Sequence, residues 1–434
     1  MSDSIFEIKL KQHTPIIHFQ PNQKGATLRA SDVKPRLDKY LNAEILKKYY
    51  DPALITPELE KIITEQSIRM KKKKSSLYQI EIDSSDPISL PITREGKGDR
   101  SLYFGDIIKE MILYKKNFLI VKSFYSEMIK AVKLAASLMF YFENFGTRQN
   151  KGYGSYSVVG SDIEVNFKKM SKDSVYYFDI VKENRNENEE DILYKLIKKI
   201  FYFYNTVKGG VNEDLYKKEK AKYSKSLLFK YLKNRNPDLI WEKRLFKLEL
   251  GNSADFDSVK NNKNTMLVRH VLGLADTYNF TKKNDVRMDT EDYPPRTGKK
   301  INNDLINIDR NYRYQLELDN NPFERIASPI FIKPIKTANG YRVYIILKTE
   351  LLLNENSNFI TPTFAVTKKV QSGKDFPKMA EFNNRTGSYT LKCINNFDLI
   401  DFFKEGVYKV FYKQNPPTVM INKFVQDIKL EKLI

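Results

Sequence analysis

Apolar and polar residues alternate strictly between Phe6 and Leu10, with the two-residue period of a strand that buries one face. Apolar residues recur at helical spacing from Ser31 onward and again over Ser126–Asn144, and both stretches predict amphipathic helices. Two further apolar runs, Pro329–Ile335 and Tyr341–Leu347, flank a turn that contains Asn-Gly, which is typical of a β-hairpin. Strands and helices therefore follow one another in mixed order, which indicates an α+β fold.

A polar segment, Lys182–Asp191, contains no aliphatic residue and predicts a linker or insertion close to a domain boundary. We therefore expect one domain in residues 1–185, which include a glycine-rich loop, and a second in residues 192–434, with a helical insertion. The second domain also contains Lys282–Asn311, which is rich in Asn, Asp, Pro and Lys and is typical of a long exposed loop.

The charge of the chain restricts the partners that it is expected to have. Its 434 residues include 74 Lys and Arg against 54 Asp and Glu, a formal net charge of +20. Such a surplus repels itself unless a polyanion neutralises it, so nucleic acid or an anionic membrane surface is the expected partner. The longest apolar run, near Leu134–Phe142, is far shorter than the roughly 20 residues that cross a bilayer. The single cysteine, Cys393, and an N-terminus without a secretory pattern favour a cytoplasmic protein without disulfides.

Glycines are rare in this chain, yet three of its 17 lie close together at Gly146, Gly152 and Gly154. Glycines at this spacing allow close backbone approach and can expose N–H groups, while Arg148 and Lys151 add positive charge to the same loop. The segment is therefore a candidate phosphate-binding loop. An ordinary turn between a helix and a strand that needs positive φ explains the glycines equally well.

Other basic positions have both a binding and a structural interpretation. Lys24 and Arg29 precede the first predicted helix, whose N-terminus favours anions, but helix capping and a solvated face account for them equally well. Arg269 and His270 lie in an apolar stretch, where a structural histidine with its hydrogen bonds satisfied is the more frequent case. The run Lys71–Lys74 is more often a solvated surface than a phosphate contact.

Signatures of an enzyme are mostly missing. The three histidines and one cysteine show no zinc-ligand spacing, and the chain contains neither a P-loop nor a GxSxG elbow. His13 and His18 could act as general bases in RNA cleavage without a metal, although their spacing does not fix them together. No cofactor and no metal are expected.

Four segments resemble the RAMP superfamily of CRISPR-associated RNA-binding proteins. GTRQNKGYGS, from Gly146 to Ser155, follows a predicted helix and precedes a strand, and it is similar to the glycine-rich loop of that superfamily. IKLKQHTPIIHF is similar to the superfamily's opening strand. ERIASPIFIKP, from Glu324 to Pro334, and the segment Arg269–Leu274 resemble pieces of the two-domain RAMP subunit of the Cmr (type III-B) effector complex.

The resemblance implies two ferredoxin-like (RRM-type) RAMP domains with helical and loop insertions. It also implies a non-catalytic subunit that holds the 3′ part of the guide RNA and its target RNA duplex in antiviral defence, beside other RAMP subunits and away from any membrane. The residues expected to contact RNA are Lys24, Arg29, Arg36, Gly146, Arg148, Lys151, Gly152, Tyr153, Gly154, Arg269 and His270.

Two alternatives remain open on the sequence. One is a metal-independent RAMP endoribonuclease that processes CRISPR repeat RNA with His13 or His18. The other is a general basic RNA-binding protein outside CRISPR.

Overall fold

A computed structural model describes the fold of the chain. It describes residues 4–17, 27–91, 110–161, 174–183, 186–213, 222–250, 253–273, 277–286, 306–318, 321–322, 327–348, 363–371, 386–394, 397–412 and 425–433. These residues fall into two compact units. Unit 1 comprises residues 1–227, 329–349 and 399–434, and unit 2 comprises residues 228–328 and 350–398. The sequence-predicted boundary between residues 185 and 192 falls within unit 1.

The secondary-structure elements are numbered in chain order. The strands are β1 Ser4–Gln12, β2 Gln79–Pro91, β3 Glu110–Ser123, β4 Tyr156–Val158, β5 Val175–Val181, β6 Val211–Glu213, β7 Lys222–Ser224, β8 Ile240–Trp241, β9 Thr265–Leu267, β10 Thr277–Val286, β11 Ile306–Leu318, β12 Asn321–Pro322, β13 Ile330–Thr337, β14 Gly340–Leu347, β15 Thr363–Gln371, β16 Thr386–Cys393 and β17 Glu431–Lys432. The helices are α1 Ala30–Tyr40, α2 Ala43–Tyr49, α3 Pro57–Lys71, α4 Ser126–Phe142, α5 Glu189–Lys208, α6 Leu227–Arg235, α7 Glu242–Leu250, α8 Phe256–Lys260, α9 Leu399–Asp401 and α10 Lys409–Tyr412. A π-helical segment, Phe402–Tyr408, joins α9 to α10, and 3-10 turns cover Pro52–Leu54 and Arg269–Leu272.

Unit 1 contains two four-stranded antiparallel sheets with the same connectivity. The first has the strand order β2-β3-β1-β4, and the second has the order β13-β14-β5-β17. In each sheet a helical segment follows the first strand, a pair of neighbouring antiparallel strands comes next, and a second helical segment precedes the last strand. In the sequence, the two segments assigned to unit 2 lie before β13 and after β14.

Helix α4 is buried on both sides, which explains the longest apolar run of the sequence. Val132, Ala135 and Met139 belong to the core beneath the first sheet. Leu138 and Tyr141 belong to a second core that includes side chains from β5, β13 and β14. Each fully buried large apolar side chain stabilises the fold by roughly 1.5–3 kcal/mol, so this helix is a major link between the two sheets.

Several local predictions are confirmed. The N-terminal strand, the helix that begins at Ser126 and the hairpin of β13 and β14 all form where the patterns indicated, and Thr337 pairs with Gly340 at the hairpin turn. The prediction of a loop over Lys282–Asn311 is wrong at both ends of that range, because both ends lie in paired strands. β10 pairs with β11, from Thr277 opposite Gln315 to Val286 opposite Ile306. Their cross-strand hydrogen bonds satisfy backbone groups that the polar composition alone assigned to water.

Unit 2 is built around one seven-stranded sheet. Its strand order is β10-β11-β15-β16-β9-β8, and the short β12 pairs with β11. The pairs β16-β9 and β9-β8 are parallel, while the others along this order are antiparallel.

Candidate nucleic-acid interface

The glycine-rich loop between α4 and β4 joins the two sheets of unit 1. Lys151 forms a parallel backbone bridge with Ile332 of β13. The Ser155 hydroxyl donates a hydrogen bond to the Pro334 carbonyl at 2.7 Å. The loop therefore contacts both sheets. It is joined to the end of β1 through β4, the strand that directly follows it, and to β13 through the backbone bridge and the hydrogen bond.

Glycine is required in this loop for close backbone approach as well as for positive φ. Gly154 has φ +66°, and a Cβ placed on it would lie 1.9 Å from the Phe145 carbonyl oxygen. Gly146 has φ +82°, and its Cβ would lie 2.6 Å from the Ile17 carbonyl oxygen. No side chain fits at either position without displacing backbone, so these glycines serve the packing of the loop.

Several backbone N–H groups of the loop donate hydrogen bonds to carbonyl oxygens within unit 1. Thr147 N donates to Ile17 O and Gly154 N to Pro15 O, both at 2.8 Å. Gly152 N donates to the Gln149 carbonyl at 3.2 Å, and the Gly152 carbonyl accepts from the Thr14 hydroxyl at 2.7 Å. The expectation that Gly152 and Gly154 expose N–H groups to a phosphate is therefore wrong, because carbonyl groups of the loop itself and of the turn after β1 already accept these hydrogen bonds.

Beneath the loop lies a buried lysine that the sequence did not predict. Lys333 of β13 has no solvent-exposed surface. Its Nζ donates to the Glu143 and Tyr156 carbonyls at 2.9 Å each, and to Asn144 Oδ1 at 3.1 Å. Burial lowers the pKa of Lys333 well below its usual range, with Glu143 acting in the opposite direction. Three acceptors match the three N–H bonds of an ammonium group, and this match favours the charged form.

Asn144 fixes the other side of this junction. Its amide nitrogen donates to the Gln149 carbonyl at 2.7 Å and to the Ile332 carbonyl at 2.8 Å. Asn144 and Lys333 are polar residues beside apolar neighbours in the sequence, in FENF and IFIKPI. That setting was the available sequence signal for buried polar groups with internal partners.

Arg36 holds the loop from the side of α1. Its guanidinium donates to the Asn144 carbonyl at 2.5 Å and to Gln149 Oε1 at 2.9 Å, and it lies 3.5 Å from Glu143. It also lies 4.9 Å from the centre of the Phe145 ring. These hydrogen bonds engage two of the five N–H groups of the guanidinium and favour a structural role for Arg36 over the expected RNA contact.

The outer part of the loop keeps its charge at the surface. Arg148, at φ +57°, and Lys151 are both half-buried, and Lys151 Nζ lies 5.2 Å from the centre of the Tyr204 ring. Tyr153 points inward and is only 4% exposed, and its burial raises its pKa. Arg148 and Lys151 remain candidates for phosphate contact, whereas the Tyr153 ring is not available for stacking on a base.

His13 is fixed as a neutral structural side chain. Lys336 N donates to its Nδ1 at 3.0 Å, so Nε2 carries the proton that is donated to the Ser157 hydroxyl at 2.8 Å. Burial lowers the pKa of His13 well below its usual range, and Lys333 reinforces that shift. Both ring nitrogens are occupied and the residue is 1% exposed, which argues against His13 as a general base. His18 and Lys24 lie outside the described residues.

The remaining candidates divide between the two units. Arg29 is half-buried and directly precedes α1 in unit 1. Arg269 and His270 belong to unit 2, where Arg269 Nε donates to Glu242 Oε1 at 3.1 Å. His270 Nδ1 donates to the Leu267 carbonyl at 2.7 Å, and burial lowers its pKa to about 4. This internal hydrogen bond and the burial favour the structural interpretation of His270 over the expected RNA contact.

Comparison with protein families identifies the chain. The model of the Cmr1 N-terminal domain matches residues 3–211, and that of the Cmr1 C-terminal domain matches residues 223–427. The chain belongs to the Cmr1 family. The resemblance to the two-domain RAMP subunit of the Cmr complex is thereby confirmed, while no curated protein matches the chain in sequence.

Solved structures show distant likeness to this Cmr1 family member. Cmr1 from Pyrococcus furiosus in its apo form is 11% identical, with a TM-score of 0.35, over 99% of this chain and 98% of that one. Cmr6 from Pyrococcus furiosus is 14% identical, with a TM-score of 0.22, over 36% of this chain and 99% of that one. A type III-B Cmr-beta complex bound to cognate target RNA contains a chain that is 12% identical, with a TM-score of 0.23. That match covers 36% of this chain and 58% of the other.

Within the described residues, no helix combines the length and the apolar composition needed to cross a bilayer. No three His, Cys, Asp or Glu side chains in the same part of the chain converge into a group that could hold a metal ion.

The packing of the loop predicts a difference between two glycines that share positive φ. Gly160 has φ +82°, but a Cβ there would meet nothing within 4 Å. Gly160→Ala should therefore cost about 1 kcal/mol of unfolding free energy, from backbone strain alone. Gly154→Ala adds a clash with Phe145 O and should cost about 3 kcal/mol or more. Denaturant unfolding of both variants measures the difference, and equal decreases in stability would contradict the packing described here.

The burial of His13 predicts a dependence of stability on pH. Because its pKa is depressed in the folded state, its contribution is complete above the unfolded pKa of about 6.5 and is lost as the pH falls below that value. The decrease approaches about 1.4 kcal/mol per pH unit. The free energy of unfolding, measured with urea between pH 7.5 and 5.5, should depend less steeply on pH for His13→Gln than for the unaltered chain. An unchanged slope would show that His13 takes up its proton in the folded state.

Proposed function

We propose that this chain is a non-catalytic RNA-binding subunit of a type III-B CRISPR effector ribonucleoprotein. In this role it holds the 3′ part of the guide RNA and the paired target RNA beside other RAMP subunits in the cytoplasm. The observation that carries the RNA-binding part is the net charge of +20, which an RNA strand would neutralise. Membership of the Cmr1 family supports the assignment to this class of complex.

The connectivity of unit 1 supports a pair of ferredoxin-like folds as the RNA-binding framework. When the four strands of each sheet are numbered by their position in the chain, their order across the sheet is fourth, first, third, second. Helical segments follow the first and third strands. This β-α-β-β-α-β order is the ferredoxin-like motif. The segments assigned to unit 2 are then insertions into the second of these folds.

Arg148 and Lys151 are the loop residues that we assign to the RNA backbone. Their side chains keep part of their surface in solvent, while the loop backbone is held by Thr14, Asn144 and the strand β13. Because the loop backbone is already held in place, contact of the two cations with RNA would reduce its conformational entropy little further. Phosphate contacts made through side chains fix the position of the RNA without reading its sequence.

Replacing these two cations tests their contact with RNA. Arg148→Ala with Lys151→Ala should reduce the slope of log affinity against log salt for a single-stranded guide RNA by about 0.7 for each phosphate that the variant no longer neutralises. The matched control is Lys263→Ala with Lys404→Ala, which removes the same charge from two exposed positions elsewhere. Fluorescence anisotropy from ~50 to ~300 mM salt measures the slope. An unchanged slope in the loop variant would remove this loop from the interface.

The non-catalytic role has a separate test. Labelled CRISPR repeat RNA incubated with the full chain in EDTA should stay intact, because both ring nitrogens of His13 are engaged inside unit 1. A metal-independent ribonuclease in a parallel reaction shows that the assay detects cleavage. A discrete product that disappears in His13→Ala or His18→Ala would favour the endoribonuclease.

A further inference from the structure

The end of unit 1 at which β3 finishes carries exposed aromatic rings beside a run of lysines. Phe124 is 63% exposed and Tyr125 is 46% exposed, directly after β3. The four residues Lys71–Lys74 lie at the end of α3 and are all exposed. We refer to Lys71–Lys74, Phe124 and Tyr125 as the lysine-turn platform.

Hydrogen bonds hold the two parts of this platform at the same end of the unit. The Ser123 hydroxyl donates to the Leu77 carbonyl at 2.8 Å, which joins the end of β3 to the segment after the lysines. Leu77 N donates to Gln66 Oε1 of α3 at 2.8 Å. Lys74 precedes Leu77 by three residues along the chain, so the Cα atoms of these two residues lie within about 11 Å of each other.

Helix capping does not explain the choice of lysine in this turn. Lys73 N donates to Met70 O at 3.1 Å and Lys74 N to Arg69 O at 2.9 Å, which is the pattern of a Schellman cap. Lys73 occupies its left-handed position at φ +52°, where glycine or asparagine is usual. A cation near the helix C-terminus is favourable, but that benefit does not require four lysines in succession.

The charge of the platform is not neutralised by neighbouring acids. Among the residues that the structure describes, none of Lys71–Lys74 forms an ion pair, whereas nearby acids are already matched with other cations. The matched pairs are Glu65 with Arg69 at 2.7 Å, Glu81 with Lys122 at 2.9 Å and Glu127 with Lys130 at 2.7 Å. Four positive charges therefore face solvent at the end of unit 1 that also carries the two accessible rings.

We infer that the lysine-turn platform binds single-stranded RNA, with bases stacked on Phe124 and Tyr125 and phosphates on the lysines. Single strands offer both unstacked bases and phosphates, whereas bases in a duplex are already stacked on one another. The inference rests on the proposed RNA-binding function and adds to it a second contact that is distinct from Arg148 and Lys151.

Two variants of the full chain test the two parts of the platform. Lys72→Ala, Lys73→Gly and Lys74→Ala together should reduce the salt slope for a labelled oligouridine by about 2, because each phosphate neutralised on a single strand contributes about 0.7. Phe124→Ala should weaken binding of oligouridine roughly tenfold but leave an abasic ribose-phosphate oligomer of equal length unaffected. The abasic oligomer keeps the phosphates and removes the groups that stack.

Matched controls separate the platform from a general decrease in charge and from misfolding. Lys61→Ala, Lys263→Ala and Lys404→Ala remove the same charge at exposed positions, and Tyr412→Ala removes another ring that is 50% exposed. The platform is refuted if the control lysine variant flattens the slope equally, or if Phe124→Ala weakens both oligomers alike. If the unaltered protein binds RNA and both platform variants bind it equally well, the platform is refuted and the proposed function stays intact. Failure of the unaltered protein to bind either oligomer or guide RNA contradicts both.

Discussion

The ammonium of Lys333 is the interaction on which the centre of unit 1 depends. It extends from β13 of the second sheet to three oxygen atoms that flank α4 and β4 of the first sheet. A buried cation without partners costs several kcal/mol, whereas one with every N–H bond satisfied fixes a single arrangement of its surroundings. The junction of the two sheets is consequently a specific polar contact inside an apolar core, and α4 supplies the apolar part.

That junction determines what the glycine-rich loop can do. The loop has the glycines of a phosphate-binding turn, yet several of its N–H groups are hydrogen-bonded within the loop or to the residues that follow β1. Its backbone therefore holds the two sheets together, and any contact with RNA has to come from side chains at the rim. Arg36 shows the same division, since a cation of the first helix has become part of the support for the loop.

A charge surplus by itself does not show which cations meet a polyanion. Arg36, Lys333 and Arg269 have internal partners, and those partners offset the cost of their partial or complete burial. Cations whose side chains face solvent without an acidic partner, such as the lysines after α3, contribute instead to the long-range field that attracts nucleic acid. The distinction depends on burial and geometry and not on residue type.

The sequence by itself determined the features that depend on neighbours along the chain. Alternation predicted β1, the Asn-Gly turn predicted the hairpin of β13 and β14, and the motifs around Gly146 and Ile332 indicated the family. Composition was equally sufficient for the net charge. The tertiary structure decided the partners of Lys333, Arg36 and His13, because their hydrogen-bonding atoms come from segments more than 100 residues away in sequence. It also decided that Gly154 is required by the nearby Phe145 carbonyl, since local spacing specifies which backbone conformations are possible but not what lies opposite each atom.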